Sequence, residues 1–165
     1  MLDLIYQYYT AEKSAAEYTI PVGIVFVVIG FLFWQFLSEN QISKGLGLGL
    51  MIAGVLIISI LLANRQYNIK MIDGLSNRKL EQTEQLKQTE INRMEKVMNV
   101  SFKYAFISFF VLIILLTGAM LFSRSYYWKG MSLAFLLFVL VLAIADTYNS
   151  KRNQEYLQTL EQLKK

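Results

Sequence analysis

Residues 45–63 read GLGLGLMIAGVLIISILLA, 19 residues without a charge. A helix of that length rises about 28 Å, close to the roughly 30 Å hydrocarbon core of a bilayer. Three further runs share this character. Residues 20–37 (IPVGIVFVVIGFLFWQFL) contribute 18 uncharged positions, 104–122 contribute 19, and 131–145 contribute 15. The fourth run is short; Trp128, Lys129 and Gly130 extend it if Lys129 snorkels to the interface. The competing reading is a set of buried helices in a soluble bundle. Composition argues against it: 55% of the chain is hydrophobic and 17% charged, too little polar surface to cover four such helices. The expected fold is an all-α integral membrane protein with four transmembrane helices.

The polar stretches between these runs set the organisation. An N-terminal amphipathic segment (1–19) precedes a first transmembrane hairpin (20–63). A helical connection (64–103) leads to a second hairpin (104–145), and a C-terminal helix (146–165) follows. With four spans, both termini and the central connection share one side. That side carries 13 of the 16 Lys and Arg residues, against Lys44, Arg124 and Lys129 on the other. The excess places both termini in the cytoplasm, the hairpins running in–out–in through a bacterial-type inner (plasma) membrane. Asp3, Glu12 and Glu17 against one lysine in the first 19 residues read against a cleaved signal peptide. Tyr6, Tyr8, Tyr9, Tyr18, Tyr104, Tyr126, Tyr127 and Trp128 flank the spans as an interfacial aromatic belt would. Pro21 falls in a first helical turn, where it is tolerated.

An offset of 85 aligns Ser38 with Ser123, Lys44 with Lys129, Gly45 with Gly130, Leu48 with Leu133, Asn64 with Asn149 and Asn68 with Asn153. The tetrapeptide EQLK also recurs, at 84–87 and 161–164. Tandem duplication and shared composition both account for these matches, and the sequence does not decide between them.

The second span's helix is expected to continue into the cytoplasm as far as Asp73-Gly74, where a left-handed glycine would end it. Ser76 would then cap a new helix. Its body, LEQTEQLKQTEINRMEKVMN (80–99), is made of good helix formers and can run uninterrupted into the third span. Glu84 with Lys87 and Glu90 with Arg93 are i,i+3 pairs expected on a solvated face. In the last segment Asn149, Asn153, Tyr156, Leu160 and Leu163 step by four and three, a short coiled-coil seam with a polar upper half. Leu80, Leu86, Ile91 and Met94 with Tyr156, Leu160 and Leu163 form the candidate cytoplasmic interaction stalk.

The absence of His and Cys excludes the usual zinc sites, thiol redox chemistry and a histidine base. No ionisable residue lies within a run, which argues against a proton relay or an ion-coupled carrier. Ser59, Ser108, Thr117 and Ser132 are expected to bond back to their own helices. No catalytic, cofactor-binding or metal-ligating residue is assigned. The most specific local feature is glycine spacing. Gly45, Gly49 and Ala53 form a small-xxx-small ladder, Gly47 and Gly54 stand seven apart, and Gly23 and Gly30 repeat that interval in the first run. Such residues let helices approach closely, either within the chain or between subunits. The basic residues of the connection alternate with acids and lack interleaved aromatics, so no nucleic-acid partner is expected despite a pI near 9.2. The expected partners are the lipid bilayer and a protein, or a second copy of the chain. The leading functional reading is a non-enzymatic subunit, regulator or immunity factor of a membrane complex. A homo-oligomeric pore comes second, and a small-molecule carrier or lipid-handling enzyme third.

Overall fold

The chain's computed structural model describes residues 1–37, 39–76 and 83–162. Among these residues five helices follow one another: α1 (Leu2–Phe36), α2 (Gln41–Ser76), α3 (Thr83–Lys96), α4 (Lys103–Phe122) and α5 (Tyr126–Gln162). A single π-helical turn, Val97–Phe102, joins α3 to α4, so these two form one rod. Four rods of 35 to 39 residues are long and apolar enough to cross a membrane. Each is about 52 to 58 Å long at 1.5 Å per residue, well beyond the hydrocarbon thickness. The apolar runs account for roughly half of each rod, and the rest projects from the bilayer.

Local sequence explains the two tight turns. Asn40 Oδ1 accepts from the Ile42 backbone N–H at 2.8 Å and so caps α2. At the other turn Ser123 leaves α4 with extended backbone, and its Oγ accepts from the Ser125 N–H at 3.2 Å.

Glycines fix which helices touch. Gly23 abuts Gly54, Ile57 and Ile58, while Gly30 abuts Gly47 and Met51, so α1 runs antiparallel to α2. Gly45 meets Tyr127 and Met131, and Gly49 meets Met131 and Ala134, so α2 runs parallel to α5. A Cβ on Gly45 would land on the Tyr127 carbonyl oxygen, and one on Gly130 on that of Ile42. The two backbones are in direct contact there, as small residues permit in lipid. With α4 packed on α5, the helices follow the order α1, α2, α5, α4. No residue of α4 is buried, and its surface is apolar on every side, as suits a helix that meets lipid wherever it does not meet α5.

The main apolar core lies outside the spans. Ile5, Tyr9, Leu75, Leu86, Ile91, Met94, Tyr156 and Leu160 form it, drawn from the first turns of α1, the last of α2, all of α3 and the end of α5. This four-helix extramembrane bundle revises several expectations. α2 does not stop at Asp73-Gly74; it passes through Gly74 to Ser76, and no glycine among the described residues has positive φ. Glycine within a helix costs about 1 kcal/mol relative to alanine, whereas burying a leucine contributes about 1.5–3 kcal/mol. The extra turn carries Leu75 into the core and outweighs the glycine. Ser76 is therefore the last residue of α2 rather than the cap of the next helix. Tyr8 and Tyr9 belong to the bundle, Tyr9 being 1% exposed, and not to an interfacial belt; Tyr18, Tyr104, Tyr126 and Trp128 do stand exposed. Glu90 and Lys87 are buried rather than solvated, because Leu86, Ile91 and Met94 turn that side of α3 inward.

Candidate functional site

Arg93, Tyr9 and Tyr156 converge on Glu90, which is 4% exposed. Arg93 donates to it twice, from Nε at 3.0 Å and from Nη2 at 2.7 Å, the planar fork matching the carboxylate. The Tyr9 hydroxyl donates at 3.2 Å, as does the Tyr156 hydroxyl, so Glu90 ties α3 to α1 and α5. Arg93 also lies over the Tyr9 ring, 5.4 Å from its centroid. Tyr8 stacks on Tyr156 with centroids 3.9 Å apart and donates from its hydroxyl to Asn153 Oδ1 at 2.7 Å.

Electrostatics follow from this crowding. Burial, reinforced by the Glu90 carboxylate, pushes the Tyr9 and Tyr156 phenols above the ordinary tyrosine range. Burial with the Glu12 charge does the same to Tyr8. For Arg93 burial pulls the pKa down, but its hydrogen bonds and attraction to Glu90 more than offset this and hold it above the usual value. All four groups thus keep the protonation state that their partners require.

Between this cluster and the spans, α1, α2 and α5 leave a cleft of about 300 Å³. Glu12, Ala15, Ala16 and Thr19 line it from α1, Leu61 and Asn64 from α2, and Ala145, Tyr148, Asn149 and Arg152 from α5. It adjoins a smaller chamber of about 180 Å³ that reaches Tyr8, Tyr9, Asn68, Arg93 and Asn153, with Glu12, Asn64 and Asn149 on both walls. Arg152 Nη2 donates to Glu12 at 2.6 Å and to Asn149 Oδ1 at 3.1 Å, while its Nε is buried without a partner. Asn68 donates to Asn64 at 3.3 Å. The arrangement offers paired charges and amides for holding a polar group. Among the described residues no cluster of acidic side chains could hold a metal ion.

The residues singled out from the sequence fall into two groups. Gly23, Gly30, Gly47 and Gly54 lie between α1 and α2; Gly45 and Gly49 lie between α2 and α5; Ala53 is fully buried. Leu86, Ile91, Met94, Tyr156 and Leu160 face one another in the bundle core, so their surface is spent within the chain. Leu80 and Leu163 lie outside the described residues. Sequence reasoning missed the roles of Tyr8, Tyr9, Glu12 and Arg152. For Arg152 the available signal was its place one turn from Asn149 and beside Asn153, on the polar half of the seam.

Fold and site together define a multi-pass helical membrane protein with an extramembrane helical bundle built around a buried carboxylate. The chain matches no protein family, no curated protein and no solved structure.

Proposed function

We propose that the chain is a non-enzymatic membrane protein that works through protein–protein contact, as a subunit, regulator or immunity factor of a membrane complex. The observation that carries this is the two-faced character of the extramembrane bundle. Its inner faces are closed by Glu90 and the apolar core, while α3 and α5 present Gln85, Gln88, Glu95, Gln154, Glu155 and Gln158 to solvent. A rigid polar face held beside the membrane is suited to a partner, and its side chains are not needed for the fold. The glycines singled out from the sequence have neighbours within the chain, which favours this reading over the homo-oligomeric pore.

In this reading the bundle is cytoplasmic, the membrane is a bacterial-type inner membrane, and the rods are two in–out–in hairpins. Placement of 13 of 16 Lys and Arg residues supports the orientation. Duplication draws support from helix ends that repeat near the same offset of 85: α1 ends at Phe36 and α4 at Phe122, while α2 begins at Gln41 and α5 at Tyr126. The glycine contacts are reciprocal as well. Gly45 meets Tyr127 and Met131, and Gly130 meets Ile42 and Leu46, each 85 residues from its counterpart. A two-fold axis along the membrane normal would produce that exchange.

Photo-crosslinking side chains at Gln85, Gln88 and Gln158 test the function in the native membrane. Capture of one discrete protein from all three positions is expected. No capture from any of them, with function retained in Gln88→Pro, would refute the bundle as a docking element. Impermeant labelling of Gln85→Cys in intact cells should fail; labelling there would reverse the orientation.

A further inference from the structure

The walls of the cleft change character along the membrane normal. Nearest the apolar runs stand Thr19, whose hydroxyl donates to the Ala15 carbonyl of its own helix, with Ala15, Ala16, Leu61 and Ala145; farther out come Tyr148, Asn64, Asn149 and the Arg152–Glu12 pair, and beyond them the polar chamber. The cleft lies where α1, α2 and α5 leave the spans, on the side rich in Lys and Arg. That order, apolar toward the bilayer and polar away from it, is the order of a lipid. About 300 Å³ is room for several water-sized groups, enough for a head group and the first methylenes of a chain.

Charge then narrows the head group. Arg93 is answered by Glu90 and Arg152 by Glu12, so the cleft does not present a bare positive field. It presents one guanidinium and one carboxylate side by side, with amides at Asn64 and Asn149. Arg152 uses Nη2 alone in its hydrogen bonds among the described residues. Such a pair complements a ligand that carries its own adjacent negative and positive groups.

We propose that this cleft binds the phosphoethanolamine head group of a phospholipid from the adjoining leaflet, its phosphate on Arg152 and the asparagine amides and its ammonium on Glu12. The proposal rests on the reading of the four rods as membrane spans. A primary ammonium donates three hydrogen bonds to a carboxylate and amides, whereas a quaternary one donates none, so phosphatidylcholine is the discriminating control. Phosphatidylglycerol, with no cation for Glu12, is the second.

The purified full-length chain in detergent, titrated with each lipid and read by native mass spectrometry, tests it. Phosphatidylethanolamine should bind one per chain, at least roughly tenfold more tightly than either control, the loss expected for one charge-assisted hydrogen bond. Glu12→Gln should abolish that preference, because the primary ammonium loses its carboxylate while the phosphate contact common to all three lipids remains. Because this variant also breaks the pair with Arg152, Ala145→Phe serves as a second probe that fills the apolar end and leaves the pair intact; it too should weaken binding about tenfold. Equal binding of the three lipids, or unchanged binding in Ala145→Phe, overturns the proposal. Binding of water-soluble glycerophosphoethanolamine as tight as that of the lipid would assign the cleft to a soluble ligand and likewise overturn it. Release of the wild-type chain from membranes by alkaline carbonate would remove the membrane reading itself, an outcome distinct from an embedded chain without lipid preference.

Discussion

Replacing Glu90 with leucine should open the extramembrane bundle while leaving the spans in place. Glu90 is 4% exposed and accepts from Arg93, Tyr9 and Tyr156. Removing one member of a buried ion pair costs about 3–5 kcal/mol, because the other charge is left without a partner. The Arg93 side chain is 28% exposed and can regain some water, so the low end of that range, about 3 kcal/mol, is the appropriate figure. The two tyrosine hydroxyls lose their acceptor as well, but they share one network and their losses do not simply add. Hydrogen-bonded helices in lipid are not affected, since their backbone groups are satisfied internally. The chain has no cysteine and Met94 is fully buried, so Met94→Cys supplies a single thiol that reports opening. In that background Glu90→Leu should raise the thiol labelling rate roughly 100-fold, the equivalent of about 3 kcal/mol in the opening equilibrium. Arg93→Met combined with Glu90→Leu should recover most of the loss, because an apolar pair of similar volume replaces the ionic one. A rise below about threefold, or a double variant no better than Glu90→Leu alone, would show that the carboxylate does not hold the bundle together.

Two further outcomes follow from the same packing. Gly130→Leu should lower thermal stability in detergent by about 3 kcal/mol, since backbone atoms of Ile42 and Leu46 occupy the space its Cβ needs; Gly118→Leu, with nothing within 4 Å, should be tolerated, and equal effects would refute the α2–α5 contact. Raised phenol pKa values at Tyr8, Tyr9 and Tyr156 mean that their contribution to stability is fully present below the ordinary tyrosine pKa of about 10 and is lost as pH rises above it. Tyrosinate absorbance should therefore show three of the ten tyrosines ionising late and together with opening of the bundle; ten phenols titrating as one set would contradict their burial.

Legibility in the sequence followed the range over which each interaction acts. The spans were legible because an uncharged run states its own environment. The seam Asn149, Asn153, Tyr156, Leu160 was legible because its period lies within one helix; the three lower members are buried. Glu90 with Arg93 was misread because an i,i+3 pair looks the same on a solvated and on a buried face. The difference lies in Tyr9, 81 positions away. The glycines occupy an intermediate position. At 100° per residue Gly47 stands about 200° from Gly45, so the two ladders of α2 lie on opposite faces and call for two neighbours. The spacing was read only as close packing within the chain or between subunits; the structure places α1 on one face and α5 on the other. That assignment gives the aligned asparagines a physical meaning. In antiparallel neighbours equivalent positions drift apart along the axis, whereas in parallel neighbours they stay level. Because α2 and α5 run parallel, Asn64 with Asn149 and Asn68 with Asn153 come to matching heights, and all four line the chamber beside the cleft. A coincidence of letters 85 apart becomes two pairs of amides, one helical turn apart, just beyond the apolar runs.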